Sequence, residues 1–400
     1  MKFVVQKYGG SSLKDKKCIE KVLEKIQNTK KDFDKIIVVV SAMGKTTNDL
    51  MEMVRSFTTK KHPREMDMLL TTGEQISASI LTMVLQEHGL SSVSFNAYQA
   101  GIRTNQKWGR ANIQKVNTKF LRKKLEKYDV IVITGFQGIT NQNEITTLGR
   151  GGSDTTAVAL AASLGCPCHI FSDVDGVYTI DPAIYPEAKK LDYISYEEML
   201  EMSRQGSGVL HDRSVEIAQK FDIPIYCAST FSDKGGSMIF RTIETIHSKP
   251  VIGISVLDKQ WLITARTNGA DPNFLKTITD VLQKYSLNID MIALSNHTEN
   301  WSLSMTVWED DYETAQDTLE EAQKVLTSMS QSVIVQGNLS KITLVGSNMR
   351  KTVGVTDMIF EVIPPNDIYM ITTSEVSISL LVSSDKANKT IANLARRFSL

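Results

Sequence analysis

The sequence predicts an α/β protein with two parts: a mostly parallel sheet covered by helices, and a smaller C-terminal part built from a repeat. Three observations support this prediction. Apolar, β-rich runs alternate with helical patterns up to about residue 245. Uninterrupted Val and Ile, as in residues 36–40, are typical of strands that are buried on both faces. From about residue 250 the alternation stops, and two segments resemble each other.

The first part contains a regular series of predicted strands and helices. Strands are expected at residues 2–7, 35–42, 91–97, 128–136, 168–174 and 223–229, and helices at 16–28, 73–87, 112–127, 154–164 and 196–221. This alternation implies a parallel α/β sandwich in which ligands bind beyond the carboxyl ends of the strands. Glycines and polar residues follow several of these strands, so we expect the functional site there.

The second part contains an internal repeat. Residues 264–296 resemble residues 344–375, and a constant offset of 79 residues places Met291 on Met370. Each copy has the order strand, turn, helix, strand and further strand. This order is typical of a small ferredoxin-like βαββαβ module, so the repeat predicts two of them.

The repeat and the change of pattern define the predicted domains. We expect a first domain at residues 1–245 and a second at 246–400. The second domain would hold one module at about 261–328 and another at about 331–400.

Composition excludes several classes of protein. Lys plus Arg and Asp plus Glu both number 45, and this balance argues against nucleic acid or an anionic membrane as the main partner. We find no apolar run of about 18 residues, and the N-terminus reads as a strand rather than a signal peptide. Four cysteines do not make a disulfide scaffold, and Cys166, Cys168 and His169 lack zinc-finger spacing. We therefore predict a cytoplasmic protein.

Two glycine-rich turns are candidate anion sites. In KYGGSS (7–12), glycines let backbone N–H groups approach phosphate oxygens, and Lys7 adds a positive charge. In GRGGSDTT (149–156), Arg150 can pair with a carboxylate through two parallel hydrogen bonds. An ordinary turn at the first site, and a helix cap by Asp154 at the second, are the structural alternatives. The aspartates of SDVDGVYTIDP (172–182) either face a nucleotide or shape a turn.

Two familiar nucleotide motifs are absent from these turns. GKTT (44–47) lacks the first glycine of a phosphate-binding P-loop, because position 39 is Val39. GRGGSD (149–154) lacks the third glycine of the dinucleotide fingerprint, because that position is Asp154. Neither a P-loop NTPase nor a Rossmann dehydrogenase is supported.

Six motifs together resemble one family. In chain order they are KYGGSS (7–12), SAMGKTTN (41–48), TTGEQIS (71–77), GFQGIT (135–140), LGRGGSDTTA (148–157) and SDVDGVYTIDP (172–182). The chain resembles the aspartate kinases, which have the amino-acid kinase fold, a three-layer α/β/α sandwich. The duplicated tail resembles the paired ACT modules of that family, so the resemblance covers essentially the whole chain.

The resemblance implies an activity and a set of site residues. The reaction would transfer the γ-phosphoryl group of MgATP to the β-carboxylate of L-aspartate, the first step towards lysine, threonine and methionine, with Mg²⁺ held by ATP phosphates rather than by protein side chains. Lys7 would stabilise the transferred group, and Asp154 would orient Lys7. The implied ATP-binding residues are Lys7, Tyr8, Gly9, Gly10, Ser172, Asp173, Tyr178 and Ala183. The implied aspartate-binding residues are Ser41, Thr47, Glu74, Arg150 and Ser153.

Two positions depart from the family pattern. Ala183 stands where an arginine commonly follows Asp-Pro, and Gly208 stands where a lysine commonly precedes Val-Leu-His. Both family residues are cationic contacts to ATP phosphates. We expect weaker ATP binding, or a rearranged phosphate site served by Lys189, Lys190 or Lys234.

The ACT resemblance implies regulation and self-association. Lysine, and secondarily threonine, is the expected effector, and pairing of ACT modules would give a dimer or tetramer. The candidate effector residues are Asn268, Asp271, Phe274, Leu275, Asn288, Ile289 and Asp290. Asp290 would receive an ammonium group, or would simply be a polar turn residue. Family layout also suggests that residues 251–257 join the sheet of the second module, making the first an insertion.

Two other functions remain as alternatives at this stage. The chain could phosphorylate a different acceptor, as a glutamate or carbamate kinase does, although the ACT pair argues against this. It could also be a catalytically inactive amino-acid sensor, a possibility raised by Ala183 and Gly208. The residues that favour an active enzyme are all retained: Lys7, Glu74, Arg150 and Asp154.

Overall fold

The computed structural model describes most of the 400-residue chain. The described residues are 2–60, 62–241, 249–268, 274–285, 287–297, 300–308, 324–325, 332–347, 349 and 352–400. The chain divides into two compact units. The first, called the kinase unit after the family resemblance alone, comprises residues 1–179 and 189–248, and the second, called the regulatory unit on the same basis, comprises 180–188 and 249–400.

The kinase unit contains two main sheets. Its strands are β1 (Phe3–Tyr8), β2 (Lys35–Val40), β3 (Ser92–Phe95), β4 (Arg103–Thr104), β5 (Ile113–Lys115), β6 (Val130–Thr134), β7 (Gln137–Ile139), β8 (Ile145–Thr147), β9 (Cys168–Ser172), β10 (Val177–Tyr178), β11 (Lys190–Leu191), β12 (Tyr193–Ser195), β13 (Ile225–Ser229) and β14 (Ser237–Phe240). The large sheet has the order β12-β14-β13-β9-β1-β2-β6-β3, and the smaller one has the order β5-β4-β7-β8. Every neighbouring pair in the large sheet is parallel except β13 and β14.

Helices cover both faces of the large sheet. They are α1 (Gly10–Leu13), α2 (Lys16–Thr29), α3 (Thr46–Phe57), α4 (Pro63–Leu70), α5 (Thr72–Glu87), α6 (Ala97–Ala100), α7 (Thr118–Lys127), α8 (Gly152–Leu164), α9 (Tyr196–Arg204) and α10 (Asp212–Phe221). Apolar side chains of α2 and α5 pack on one face with Val4, Val38 and Val132. Successive strand residues point to opposite faces, so α8, which packs on β1 and β2, covers the other face. The result is a three-layer α/β/α sandwich.

Two predicted helices are divided differently in the structure. The helix expected at 112–127 begins at Thr118, because residues 113–115 form β5 and Asn117 caps the helix through the N–H of Phe120. The helix expected at 196–221 is two helices, α9 and α10. Gly206 separates them with φ of 102°, a left-handed conformation that interrupts a right-handed helix.

The expectation that no segment is apolar enough to cross a membrane needs a correction at residues 63–87. Together, α4 and α5 are long and apolar enough to span a membrane by length and composition, which the sequence analysis did not anticipate. Half of their most apolar window is buried inside the protein, and α5 contributes Leu81 and Leu85 to the core. Core helices of soluble proteins meet the same criterion, so this finding is weak evidence for a membrane span.

The regulatory unit contains one six-stranded sheet. Its strands are β15 (Gly253–Asn268), β16 (Ile289–His297), β17 (Asn300–Trp308), β18 (Ser332–Val345), β19 (Ile368–Thr373) and β20 (Ser377–Ser383), in the order β16-β17-β15-β18-β20-β19. Its helices are α11 (Phe274–Lys284), α12 (Val355–Phe360) and α13 (Ser384–Phe398), with a 3₁₀ turn at Pro365–Asp367. The predicted second helix of the first module falls on 309–331, which lies mostly outside the described residues.

Strands β15 and β18 form the centre of this sheet and are shared by both modules. Leu257 lies opposite Lys341, and Leu262 lies opposite Gln336. The 79-residue offset places Leu257 on Gln336 and Leu262 on Lys341, so the two pairs are equivalent under the repeat. Residues 253–257 pair with 341–345 in the sheet of the second module. Separate apolar cores lie under the two modules, one around Phe274 and Met305, the other around Ile359 and Leu394.

Residues 180–188 belong to the regulatory unit, although the sequence analysis placed them in the first domain. Ile180 is 1% exposed and lies in the core of the second module, where Ile184 and Tyr185 pack beside it. The segment leaves the kinase unit after β10 and returns at β11, and these two strands pair antiparallel. Apolar packing, rather than chain order, therefore determines which unit this segment joins.

Candidate active site

The candidate site lies at the carboxyl edge of the large sheet. Neighbouring strands β9, β1, β2 and β6 all end there. Hydrogen bonds join the turns that follow them: the N–H of Gly9 donates to Phe171 O at 3.3 Å, that of Gly44 to Gly10 O at 3.0 Å, and that of Ser41 to Tyr8 O at 3.2 Å. The motifs that are far apart in sequence therefore meet at one edge.

Lys7 and Asp154 form an ion pair at this edge. Lys7 Nζ lies 2.7 Å from Asp154 Oδ1, and the two side chains are only 12% and 13% exposed. Lys7 comes from the end of β1, and Asp154 lies in the first turn of α8, where a negative charge is favourable. A Cβ at Gly9 would lie 3.4 Å from Lys7 Nζ, so the ammonium also borders the first glycine turn.

Two glycines permit the close approach of these turns. A Cβ at Gly10 would lie 2.8 Å from the carbonyl oxygen of Ala42, and one at Gly135 would lie 2.7 Å from Ser153 Cβ. A larger residue at either place would push the turns apart. The first turn of α8, with Ser153, is thereby held against the end of β6.

Glu74 provides a buried carboxylate beside the turn after β2. It is 3% exposed, and its Oε1 accepts a hydrogen bond from the N–H of Ala42 at 3.1 Å. Burial raises its pKa to about 7, although the hydrogen bond from the Ala42 N–H acts in the opposite direction. Oε2 has no hydrogen-bond partner among the described residues. A buried carboxylate oxygen without a donor is well suited to a ligand's ammonium group.

Thr47 and Arg150 frame the same edge. Thr47 lies in the first turn of α3 and is half-buried. Arg150 is exposed on the turn that precedes α8, next to Gly151, which has φ of 62°. A Cβ at Gly151 would lie 2.2 Å from His211 Cβ, so only glycine permits this packing.

Asp67 holds the turn that carries Arg150, a role that the sequence analysis missed. It is 1% exposed and accepts hydrogen bonds from the N–H of Gly109 and from both the N–H and Oγ1 of Thr147, all between 2.8 and 3.0 Å. Arg213 reinforces the same turn by donating to the carbonyl oxygen of Leu148. An acidic residue inside the apolar run EMDMLL was the available signal.

The predicted nucleotide residues are only partly brought together. Ser172 ends β9 beside the first glycine turn, and Asp173 is exposed just after it. Tyr178 donates from its hydroxyl to Asp175 Oδ1 at 2.8 Å, and this bond raises the pKa of Tyr178. Ala183 lies in the segment 180–188 of the regulatory unit, where its N–H donates to Asp181. The structure therefore groups Ser172 and Asp173 with Lys7 in the first unit, whereas Ala183 belongs to the second unit.

Comparison with known proteins agrees with this architecture. Residues 2–229 match the model of the amino acid kinase family, and residues 342–398 match a model of the ACT domain. An aspartokinase of Bacillus sp. (strain MGA3) is 38% identical over 404 residues, covering 100% of this chain and 98% of that protein. The chain belongs to the aspartokinase family. Aspartokinase 2 of Bacillus subtilis (strain 168) is likewise 38% identical, over 403 residues, with the same coverage.

Solved aspartokinase structures share the fold. Aspartokinase III of E. coli, in complex with aspartate and ADP, superposes with a TM-score of 0.83 over 100% of both chains at 23% identity. The aspartate kinase from Synechocystis is 33% identical with a TM-score of 0.55, covering 99% of this chain and 69% of that one. The amino-acid kinase fold and the C-terminal ACT architecture expected from the sequence are thus confirmed.

The candidate effector residues of this aspartokinase-family chain occupy different environments. Phe274 is 4% exposed and belongs to the core of the first module, and Leu275 is half-buried beside it. Asn288 and Ile289 are exposed. Asp271 and the side chain of Asn268 lie outside the described residues.

Asp290 is already paired with a cation of the chain itself. The ammonium of Lys341 binds Asp290 Oδ2, and the Lys341 side chain is only 2% exposed. By the repeat offset, the position equivalent to Lys341 in the first module is Leu262, an apolar core residue. A buried lysine therefore replaces a leucine at this point of the repeat, which needs an explanation beyond packing.

Proposed function

We propose that this chain is an ATP-dependent aspartate kinase whose catalytic centre is the Lys7–Asp154 pair at the carboxyl edge of the kinase sheet. The product would be 4-phospho-L-aspartate, the starting point for lysine, threonine and methionine. The observation that supports these residues is the 2.7 Å contact between a lysine at the start of the chain and an aspartate 147 positions later, beside two glycine turns. Membership of the aspartokinase family supports the reaction.

The proposed chemistry depends on alignment and charge rather than on a base. The β-carboxylate of aspartate is already ionised at neutral pH, so no proton has to be removed before it attacks the γ-phosphorus. The protein must hold the two reactants in line and neutralise charge on the transferred group. Lys7, fixed by Asp154, supplies a cation at the edge, and the backbone N–H group of Gly10 supplies a further donor.

Magnesium is proposed to enter with ATP. The described residues contain no group of three or more His, Cys, Asp and Glu side chains arranged for a metal ion. We therefore propose that the phosphate oxygens of ATP supply most of the ligands of the cation, which is how Mg²⁺ commonly binds in phosphoryl-transfer sites. When bound, Mg²⁺ would neutralise charge on the β- and γ-phosphates.

The aspartate substrate is proposed to bind between the turn after β2 and the start of α8. Glu74, with one carboxylate oxygen lacking a donor, would receive the α-ammonium group. Arg150, on the turn held by Asp67, would pair with the α-carboxylate. Ser41, Thr47 and Ser153 would provide the polar lining near these groups.

ATP is proposed to lie between the first glycine turn and the end of β9. Gly9 and Gly10 would contact the phosphates, with Ser172, Asp173 and Tyr178 on the nucleoside side. Tyr8, which was also predicted to bind ATP, is 0% exposed and its ring stacks on Phe171, so its side chain does not reach the ligand. Lys190, one of three suggested substitutes for the missing cations, donates its ammonium to the carbonyl oxygen of Gly235. That contact makes Lys234 a better candidate than Lys190.

Gly208→Lys is expected to lower the KM for ATP by about fivefold to tenfold, which corresponds to about 1–1.4 kcal/mol for one exposed charge-assisted contact. Gly208 is exposed, and a Cβ there would meet no atom within 4 Å, so a lysine fits without rearrangement. Gly208→Gln, similar in length but neutral, is the matched control and should leave the KM near that of the wild type. Equal effects of the two variants would show that charge at this position does not reach ATP.

One assay tests the activity and separates the alternatives. The protein is incubated with MgATP and L-aspartate, and the acyl phosphate is trapped with hydroxylamine. We expect trapped product with aspartate and much less with L-glutamate. Product only with glutamate would indicate a different kinase, and no product with either would favour an inactive sensor.

Regulation is proposed to act through the ACT modules. Lysine, or secondarily threonine, would bind near residues 274–290 and favour one of two conformations, which is a population shift.

Self-association is proposed to involve the edge of the regulatory sheet. β16 is an edge strand that exposes Ile292 and Leu294, which supports association as a dimer or tetramer. We also propose a cytoplasmic location, because the reaction consumes ATP.

Lys341→Met is expected to lower the half-effective lysine concentration by about tenfold, because Lys341 competes with the effector's ammonium for Asp290. Stability should be unchanged or higher, since replacing a buried ion pair by an apolar residue is often neutral or favourable when the partner can reach solvent. Asp290 is 31% exposed at its side chain and meets that condition. Lysine dose–response curves are compared with those of Ile342→Met, the matched control on the same strand. Superimposable curves for wild type and Lys341→Met would exclude Asp290 as the ammonium site.

A further inference from the structure

The regulatory unit contains an open cavity that none of the proposed effector residues lines. Its volume is about 640 Å³, within the range of small-molecule sites. The lining residues come from β15, β18, the start of α13 and the segment 180–188: Ile184, Val256, Asp258, Lys259, Trp261, Asn338, Ser384, Ala387 and Asn388. The lining thus combines one acid, one base and two amides with apolar side chains, as ligand sites commonly do.

Two of the lining residues have strained backbone conformations. Lys259 has φ of 58° and Asn338 has φ of 57°, both in the left-handed region. Asparagine tolerates this region, but lysine rarely adopts it. The register of β15 against β18 shifts between Leu257 and Gln260, so a bulge turns Lys259 out of the regular strand pattern. Such strain persists where the surroundings enforce it, and it is concentrated at functional sites.

A chain of hydrogen bonds fixes the acidic part of the cavity. Ser340 Oγ donates to Asp258 Oδ1 at 2.7 Å, and Ser340 and Ser384 share a hydrogen bond of 2.9 Å between their hydroxyl oxygens. The second carboxylate oxygen of Asp258 accepts no hydrogen bond from a described residue. The carboxylate is therefore held in place with one oxygen available. Lys259 likewise forms no ion pair with any residue in the described ranges.

The apolar side of the cavity is also fixed. A Cβ at Gly337 would lie 2.8 Å from the ring of Trp261, so the indole lies directly on the glycine backbone. Val256 and Ile184 pack at the edge of the core of the second module, and Ala387 belongs to that core. These side chains form a rigid apolar wall beside the charged pair.

We propose that this cavity binds a small zwitterion, an α-amino acid with an apolar side chain. The α-ammonium group would bind the available oxygen of Asp258. The α-carboxylate would bind Lys259 and the amide of Asn388, near the positive end of α13. The side chain would lie on Trp261, Val256 and Ile184. The site differs from the lysine site proposed around Asp290, and its existence does not depend on the proposed kinase activity.

Binding of L-leucine, L-methionine and L-phenylalanine to the full-length protein tests this proposal. Isothermal titration calorimetry, with each amino acid up to about 10 mM, should detect binding of at least one of them. A dissociation constant below about 10 mM would distinguish a built site from a nonspecific surface contact, which binds more weakly. Lys259→Met should weaken that binding at least tenfold. Asp290→Asn, which changes the other proposed site, should leave it within twofold of the wild type.

A second variant separates binding from folding. Lys259→Gly removes the ammonium and also relieves the left-handed conformation, so we expect a higher Tm together with lost binding. If none of the three amino acids binds, if Lys259→Met and Lys259→Gly both bind like the wild type, or if Asp290→Asn abolishes binding, the proposal is wrong.

Discussion

Lys7→Ala is expected to reduce kcat by about 10³-fold. This is the loss typical of removing a preorganised group that stabilises charge in the transition state. Lys7 is largely buried at the end of β1, and its ammonium is held 2.7 Å from Asp154 Oδ1, so an alanine there leaves the site without this cation. The KM values for ATP and aspartate should change much less than kcat, because Lys7 is proposed to interact most strongly with the phosphoryl group during its transfer.

The measurement is the initial rate of hydroxylamine-trapped product, with Tm recorded in parallel. Lys7→Ala leaves the Asp154 carboxylate buried without its cation, which lowers stability. The double variant Lys7→Ala/Asp154→Asn removes that penalty and should recover Tm without recovering activity. Lys14→Ala, an exposed lysine on the same segment, is the control. A Lys7→Ala enzyme with wild-type kcat would refute the assignment of the catalytic centre.

Glu74→Gln is expected to raise the KM for aspartate by about 10²-fold, because a buried carboxylate that pairs with an ammonium group contributes about 3 kcal/mol or more. The glutamine keeps the shape of the side chain and can still accept the Ala42 hydrogen bond. The KM for ATP should stay near the wild-type value, since Glu74 is proposed to contact only aspartate. A similar rise in both constants would indicate general disruption instead.

Although Glu74→Gln should weaken aspartate binding, the raised pKa of Glu74 predicts that the same variant is more stable than the wild type. Burial raises the pKa from 4.5 to about 7, so the folded protein binds the proton more tightly than the unfolded chain. Ionisation therefore destabilises the fold progressively as pH rises from 4.5 to about 7, and the full effect is present above that value. Glu74→Gln, which never ionises, should be more stable than the wild type by roughly 3 kcal/mol at pH 8.

Two pH series check this expectation. Urea unfolding of both proteins should give nearly equal free energies of unfolding below pH 4.5 and a difference that grows until about pH 7. In the wild type, kcat/KM for aspartate should rise with pH through the same region as Glu74 ionises, and Glu74→Gln should lack that rise. A constant stability difference between the two proteins across pH would show that Glu74 ionises normally.

Local patterns in the sequence predicted six of the eight strands of the large sheet and most of its carboxyl edge, but not β12, β14 or the smaller sheet. Strands such as β2 and β6 are continuous apolar runs, and the glycine turns follow directly after strands. Because parallel strands present their carboxyl ends together, motif order alone predicts that Lys7 and the turn at 149–154 meet. The family resemblance supplied the roles.

Contacts between distant residues could not be predicted in this way. Asp67 is linked to Thr147, 80 positions away, and its place in the apolar run EMDMLL indicates burial but not which residue it would bind. The pairing of Lys341 with Asp290 spans 51 positions and depends on how two modules share one sheet. The division of 196–221 into two helices follows from the left-handed Gly206, whose conformation is not determined by its identity alone.

The assignment of residues 180–188 to the regulatory unit has a consequence for dissecting the enzyme. A fragment ending near residue 248 would retain Ile180, Ile184 and Tyr185 but lose the core in which they are packed. Their apolar side chains would then be exposed and would promote aggregation. A fragment starting near 249 would lack Ile180 and carry a hole in its place. Neither half is self-sufficient, so insensitivity to feedback is better sought by point substitution than by truncation.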